Sequence, residues 1–294
     1  MIVFENEGEM DPRMAVLIGV NVKESSNAIG FFGTGLKYAI ACMARWGETL
    51  TIQSGENEYT FAVEEIEVRN KKFESLSMLS RYDRMPLSYT TEMGKRWEPW
   101  MVYRELWCNA HDEPGSRVYE TTKAPAPKRG YTRLVVSGEK IEEAHANRAE
   151  FILENRSPLH VVKGLEIYEG EGRRIFYRGI AVQTPQKPGL YTYNITETIY
   201  LTEDRTAGSW TTDPIIARGL THIQDKQTIR NTLMASEDRL ESRLDYCYAH
   251  SPGAEWQQTA EALASAHPMA IPSSVRNKFV TQAVAICPSC GRPT

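Results

Sequence analysis

MGKRWEPWMVYRELWCNAHD, residues 93–112, is the stretch whose reading decides the fold. Trp97, Trp100, Met101, Val102, Leu106 and Trp107 recur at spacings that favour a buried amphipathic helix despite Pro99. Residues three and four apart share a helix face, so the same helix gathers Glu105, Asn109 and Asp112 on one narrow side, at i, i+4 and i+7.

The segments around it alternate between strand and helix patterns. ETLTIQSGENEYTFAVEEIEV (48–68) alternates apolar and polar residues around SGENE, a β-hairpin signal. Before it, NAIGFFGTGLKYAIACMARWG (27–47) places Gly30, Gly33 and Gly35 just ahead of a helix of good formers that stops near Gly47. The opening MIVFENEGEMD reads as a short strand entering an acidic turn, and DPRMAVLIGV as a helix with Asp11 as N-cap and Pro12 at its first position. Downstream, YTRLVVSG (131–138) is a strand and EKIEEAHANRAEFILEN (139–155) a helix. Strand-like runs broken by Gly and Pro occupy Leu159 to Leu201. Helices then dominate through DKQTIRNTLMASEDRLESRLDYCYAH (225–250), EWQQTAEALASAH (255–267) and SSVRNKFVTQAVAIC (273–287).

Composition narrows the class. With 294 residues, 41% hydrophobic and 24% charged, the chain is long enough for a substantial core and has ordinary globular usage. No apolar run approaches the roughly 18 residues of a membrane span, and the N-terminus lacks a basic region followed by an apolar one. A cytoplasmic protein is therefore expected, with no membrane partner. The net charge of −4 does not indicate nucleic acid, although local basic patches would still allow it. Five sparsely placed cysteines, an odd number, argue against a disulfide framework.

Two segments carry chemistry. Asn109 offers a carbonyl oxygen to Mg²⁺, a cation that keeps several waters and leans on phosphate oxygens; Glu105, one turn away, can orient and deprotonate a water, and Asp112 can support the hydrated metal or a nucleotide. The plainer reading of this triplet is a solvated polar face opposite the tryptophans. In IGFFGTGLKYA, glycines let the backbone approach a ligand and turn its amides to phosphates; the helix behind them adds a partial positive charge, and Lys37 or Lys23 a full one. Here the plainer reading is a glycine turn and a core helix. Neither a Walker loop nor a Rossmann fingerprint fits the order of residues.

Together the two segments resemble the GHKL ATPases, the superfamily of gyrase B, the ninety-kilodalton heat-shock chaperone, histidine kinases and MutL. RELWCNAHDE is similar to that family's N-box, E-x-x-x-N-x-x-D-A, with Glu113 in place of the alanine. IGFFGTGLKYAIA resembles its lid glycine box, and ENEGEMDPRMAVLIGVNVK its D-x-G-x-G-M adenine box with the helix that follows. The family's N-box precedes its glycine boxes, whereas here it follows them, as in a circular permutation; YTRLVVSG is then expected beside the N-terminal strand.

The resemblance implies an α+β two-layer sandwich with a mixed, mostly antiparallel sheet that binds ATP and Mg²⁺ and hydrolyses the ATP. Glu105 is the implied general base, Asn109 the metal ligand and Asp112 its support. The phosphate cradle is Gly30, Phe32, Gly33, Thr34, Gly35, Leu36 and Lys37 with Lys23. The adenine box departs from the pattern by lacking its aspartate and one glycine, leaving Glu5, Asn6, Glu7, Gly8 and Glu9; Glu5 fits best by alignment to Met10, and Asp11 competes. Histidine kinases usually lack the N-box glutamate, so Glu105 favours hydrolysis over phosphotransfer to a protein. Arg205, in LTEDRTAG, matches a basic residue that the family directs to the γ-phosphate, though an exposed turn is the plainer reading. A nucleotide sensor or a protein kinase are the alternative readings, and the implied partners besides ATP are a protein client or a second copy.

Three segments are expected: an ATP-binding domain over 1–138, a β-rich elaboration over 139–220 and a helical region over 221–294. In the last, Cys247 and His250 with Cys287 and Cys290 have zinc-ligand types and pair spacings; free thiols and an unrelated histidine are the other reading.

Overall fold

The structure is a computed structural model that describes residues 1–17, 33–154, 156–246, 251–267 and 270–279. It divides into two units, Met1–Phe151 and Ile152–Thr294, and its class is α+β.

In the first unit, β1 (Ile2–Glu7), β2 (Thr49–Gly55), β3 (Asn57–Val68), β4 (Lys71–Leu79), β5 (Arg84–Thr90), β6 (Arg117–Glu120) and β7 (Lys128–Ser137) form one sheet in the order β5-β4-β3-β2-β7-β1-β6. Every pairing in it is antiparallel, β1 with β7 included, so YTRLVVSG does lie beside the N-terminal strand. At the far end of the β3–β4 hairpin, Arg69 and Asn70 both have positive φ, 50° and 61°, the two-residue turn whose twist matches that of the strands.

Strand alternation explains the core. Ile2, Val136 and Leu50 pair across three adjacent strands, as do Phe4, Leu134 and Ile52, and all six are buried. Phe4 meets Tyr103 edge-on, ring centroids 5.1 Å apart, which fixes this as the face covered by helices. The cover is α2 (Gly35–Trp46), α3 (Pro99–His111) and α4 (Glu139–Ala146); α2 and α4 both pack on α3, and the short α1 (Arg13–Val16) touches α2. Pro99 is the first residue of α3, where its missing N–H costs nothing, so it starts the helix instead of interrupting it. Gly47, φ 71°, ends α2 in the left-handed conformation that glycine adopts most readily. Asp11 bonds the Arg13 N–H at 2.9 Å, yet α1 lasts only four residues before Leu17 turns extended.

The first unit runs past residue 138 because α4 packs against α3 and β7 and so belongs to it. The second unit holds both the β-rich stretch and the helices expected as separate segments. Its strands are β8 (His160–Val162), β9 (Leu165–Tyr168), β10 (Ile175–Tyr177), β11 (Ile180–Gln183) and β12 (Thr192–Ile195), in the order β11-β10-β12-β9-β8, with β10 and β12 parallel. Helix α5 (Ser209–Leu220) packs on β9 and β12, close enough that a Cβ on Gly219 would lie 2.5 Å from Leu165 Cδ2. Helices α6 (Lys226–Leu233), α7 (Ala254–Ala266) and α8 (Ser273–Phe279) follow. The helix expected across 225–250 ends at Leu233, and a separate 3-10 turn covers Leu240–Arg243. Inside this unit Glu241 is fully buried, its Oε1 accepting from the Tyr193 hydroxyl and from the Leu190 N–H at 2.9 Å. Among the described residues no helix is long and apolar enough to cross a membrane.

Candidate functional site

The residues that meet in the first unit are those of the two chemistry-bearing segments. Helix α2 begins at Gly35, preceded by Gly33 at φ 63° and by Thr34 as N-cap. Thr34 makes no capping bond, and its Oγ1 is buried without a hydrogen-bond partner among the described residues. A Cβ on Gly35 would lie 1.7 Å from Glu105 Oε1 and 2.2 Å from Cδ, so glycine is the residue that admits the carboxylate to the start of α2. Glu105 is 1% exposed. That burial disposes of the solvated-face reading: the polar side of α3 is turned inward against α2.

Along α3 the polar side opens toward its end. Asn109 is half-buried, with Nδ2 sealed from solvent and unpartnered among the described residues, and Asp112, also half-buried, closes the helix as its C-cap. Unsatisfied buried polar atoms are uncommon, and two of them lie on the segments that flank the Glu105–Gly35 contact. Leu36 is buried.

Lys37 does something sequence reasoning did not foresee. It is 1% exposed, and its Nζ donates to the Met14 carbonyl at 2.7 Å and to the Gly33 carbonyl. Burial pushes its pKa down, and no carboxylate pairs with it among the described residues.

Glu5 does not lie on this side of the sheet. Alternation from Phe4 turns it to the face away from α3, where cross-strand register brings Arg117 of β6 and Arg133 of β7 directly opposite it. Arg117 Nε donates to Oε1 at 2.6 Å and Arg133 Nε to Oε2 at 2.5 Å. Burial alone would raise the Glu5 carboxyl, but the hydrogen bonds and charges of Arg133 and Arg117 outweigh it and hold the pKa low. Asn6, the next residue, is the one that faces the helices. It continues the buried rows with a polar one, Asn6, Thr132 and Ser54, across β1, β7 and β2. Asn6 Nδ2 donates to the Glu7 carbonyl at 2.7 Å, which leaves Oδ1 as an acceptor. Thr132 Oγ1 donates to Gly8 O at 2.8 Å and accepts from the Met10 N–H at 2.9 Å, while Ser54 Oγ donates to Met10 O at 2.8 Å. Thr132 and Ser54 thus fix the backbone after β1, and neither was singled out from sequence. The signal was there: each is the polar residue that ends a row of helix-facing apolar ones.

Arg205 lies in the second unit, in a turn closed by its N–H to Thr202 O at 2.9 Å; it has φ 54° and is buried, unlike the exposed turn residue expected. Lys23, Gly30, Phe32 and the four zinc candidates Cys247, His250, Cys287 and Cys290 lie outside the described residues. Cys42 and Cys108 are buried and take part in no disulfide among the described residues. No cluster of three His, Cys, Asp or Glu side chains suited to a metal occurs among the described residues.

At the helix start the structure gathers a buried hydroxyl lacking a partner among the described residues, a buried ammonium, the Glu105 carboxylate against Gly35 and, one turn along α3, an amide, which are donor and acceptor types that a hydrated metal phosphate would take. No protein-family model, no curated protein and no solved structure gives a significant match to this chain.

Proposed function

We propose that the first unit binds ATP with Mg²⁺ and hydrolyses it, as a circularly permuted member of the GHKL superfamily. The observation that carries this reading is the contact between Glu105 and Gly35: residues 70 positions apart bring a buried carboxylate to the start of a glycine-led helix. Placed beside a helix N-terminus, the carboxylate serves to orient a water toward a bound phosphate.

In this reading the amides of Gly33 to Leu36 and the Thr34 hydroxyl hold phosphate oxygens, using the partial positive charge of the helix start. Asn109 supplies an oxygen to Mg²⁺, and Asp112 holds the metal's water shell. The metal, when bound, neutralises charge on the phosphates. Glu105 takes the proton of the attacking water. Asn6, with its acceptor oxygen on the helix side, receives the exocyclic amine of adenine; Glu5, committed to two arginines on the other face, supports the sheet.

The test is thermal shift with ATP, ADP and a non-hydrolysable analogue, with and without Mg²⁺, beside phosphate release by the wild type and by Glu105→Gln. The expected result is stabilisation of about 2.7 kcal/mol at a hundredfold excess over Kd, with release in the wild type that Glu105→Gln abolishes. Stabilisation without release identifies a nucleotide sensor, and transfer of labelled phosphate to protein identifies a kinase. No stabilisation by any nucleotide rejects the proposal.

A further inference from the structure

The β3–β4 ribbon carries an inference that is independent of the nucleotide site. β3 pairs with β2 through Asn57, Glu58 and Tyr59 and then leaves it, while its pairing with β4 continues in unbroken register from Thr60↔Leu79 to Val68↔Lys71. Across residues 63–68 every side chain is exposed, Val63, Ile66 and Val68 by 42%, 38% and 51%, and among the described residues no strand pairs with β3 beyond Tyr59 on its β2 edge. Six extended residues present about 20 Å of edge, along which alternate residues turn their N–H and C=O groups outward. An open edge is a template for a further strand, and its side chains decide which strand it accepts.

Charge makes that choice here. Residues 56–68 include Glu56, Glu58, Glu64, Glu65 and Glu67 and no lysine or arginine. The cations that answer them stand on the β4 side, where Arg84 pairs with Glu64, and Lys72 with Glu65 at 2.8 Å. Even there Glu65 has Glu74 directly opposite it, a like-charge pair that disfavours the isolated ribbon. Joining β3 to the β3 of a second copy would gather three glutamates from each strand along one seam, so the edge repels its own kind and suits a strand that carries cations.

We propose that residues 63–68 are a docking site for a basic extended segment of another protein, which adds to the sheet as an antiparallel strand. Every pairing within this sheet is antiparallel, and residues opposite one another share a face, so register dictates the partner's pattern. Apolar residues stand opposite Val68, Ile66 and Val63, and lysine or arginine opposite Glu67, Glu65 and Glu64. Read from its own N-terminus, the segment is apolar, basic, apolar, basic, basic, apolar. Main-chain hydrogen bonds give the affinity and the alternating side chains the selectivity.

Fluorescence polarisation of labelled peptides against the full chain tests this. The probe is Val-Lys-Val-Lys-Lys-Val between Gly-Ser flanks. One control replaces its valines by proline, which keeps the charge and cannot join a ladder, and another replaces its lysines by glutamate. Wild type is expected to bind the probe about tenfold more tightly than either control, and amide exchange to slow within residues 63–68 when it does. The double variant Glu65→Lys, Glu67→Lys, at two exposed positions, is expected to bind the probe about tenfold more weakly and the glutamate peptide more tightly than wild type does. Equal binding of the probe and the proline control means attraction by charge alone and overturns the proposal. So does failure of wild type to bind the probe, or protection confined to other residues. Self-association of wild type that the double variant abolishes assigns the edge to a second copy and overturns it too.

Discussion

Replacing Gly35 by alanine isolates the contact on which the site depends. Its φ is not positive, so alanine meets no backbone strain, and in the first turn of a helix it is favoured over glycine by up to about 1 kcal/mol. The obstacle is steric. The new Cβ would lie 1.7 Å from Glu105 Oε1, and restoring a separation of 3.0 Å moves the carboxylate by about 1.3 Å. Misplacing a reacting group by ~1 Å costs on the order of a hundredfold in rate, or about 2.7 kcal/mol of transition-state stabilisation. Gly35→Ala is therefore expected to lower kcat for phosphate release about a hundredfold while changing Kd for the non-hydrolysable analogue much less. A double-mutant cycle sharpens the point: in the Glu105→Ala background the colliding atoms are gone, so Gly35→Ala becomes stabilising in urea titrations and has no further effect on rate. Wild-type turnover in Gly35→Ala, or identical stability effects in both backgrounds, refutes the reasoning.

Two further outcomes are expected. Asn6→Leu removes the acceptor proposed for the adenine amine while keeping similar volume. Competition titrations should show ATP weakened about tenfold and inosine triphosphate, which lacks that amine, unchanged; equal loss of both assigns Asn6 a structural role only. In the second unit, burial raises the Glu241 pKa above the ordinary 4.5, against the pull of the Tyr193 hydroxyl and the Leu190 N–H. A raised folded-state value contributes stability that is complete below 4.5 and disappears as pH climbs through the folded value. Denaturant midpoints of wild type should fall relative to those of Glu241→Gln over that rise in pH; parallel curves exclude Glu241 as the source.

Much of the first unit was legible because its elements follow local rules. The apolar spacing of α3, the hairpin around SGENE and the glycine at the end of α2 are decided within a few residues of themselves. Register was not, and register decides Glu5 and Asn6. Motif spacing favours Glu5, but a shift of one residue exchanges sheet faces, and only the pairing with Arg117 and Arg133 shows which face Glu5 takes. Lys37 is legible in type only: its charge can be read from the sequence, whereas its place depends on where Met14 O and Gly33 O lie. The extent of α4's packing likewise depends on β7 and α3, and so the end of the first unit lies past residue 138, where the motif resemblance stops.

The strand that opens the chain is also an interior strand of its sheet, and that imposes an order of assembly. Ile2 pairs with Val136 and Glu120, so both neighbours of β1 leave the ribosome more than a hundred residues after it. Until then its apolar residues Ile2, Val3 and Phe4 have no partners on either edge, and the loop that must close around them is among the longest the unit contains. The first unit therefore closes only when most of its own stretch has been made: the start of α2 comes early, but the helix bearing Glu105 and the strand bearing Thr132 come only afterwards.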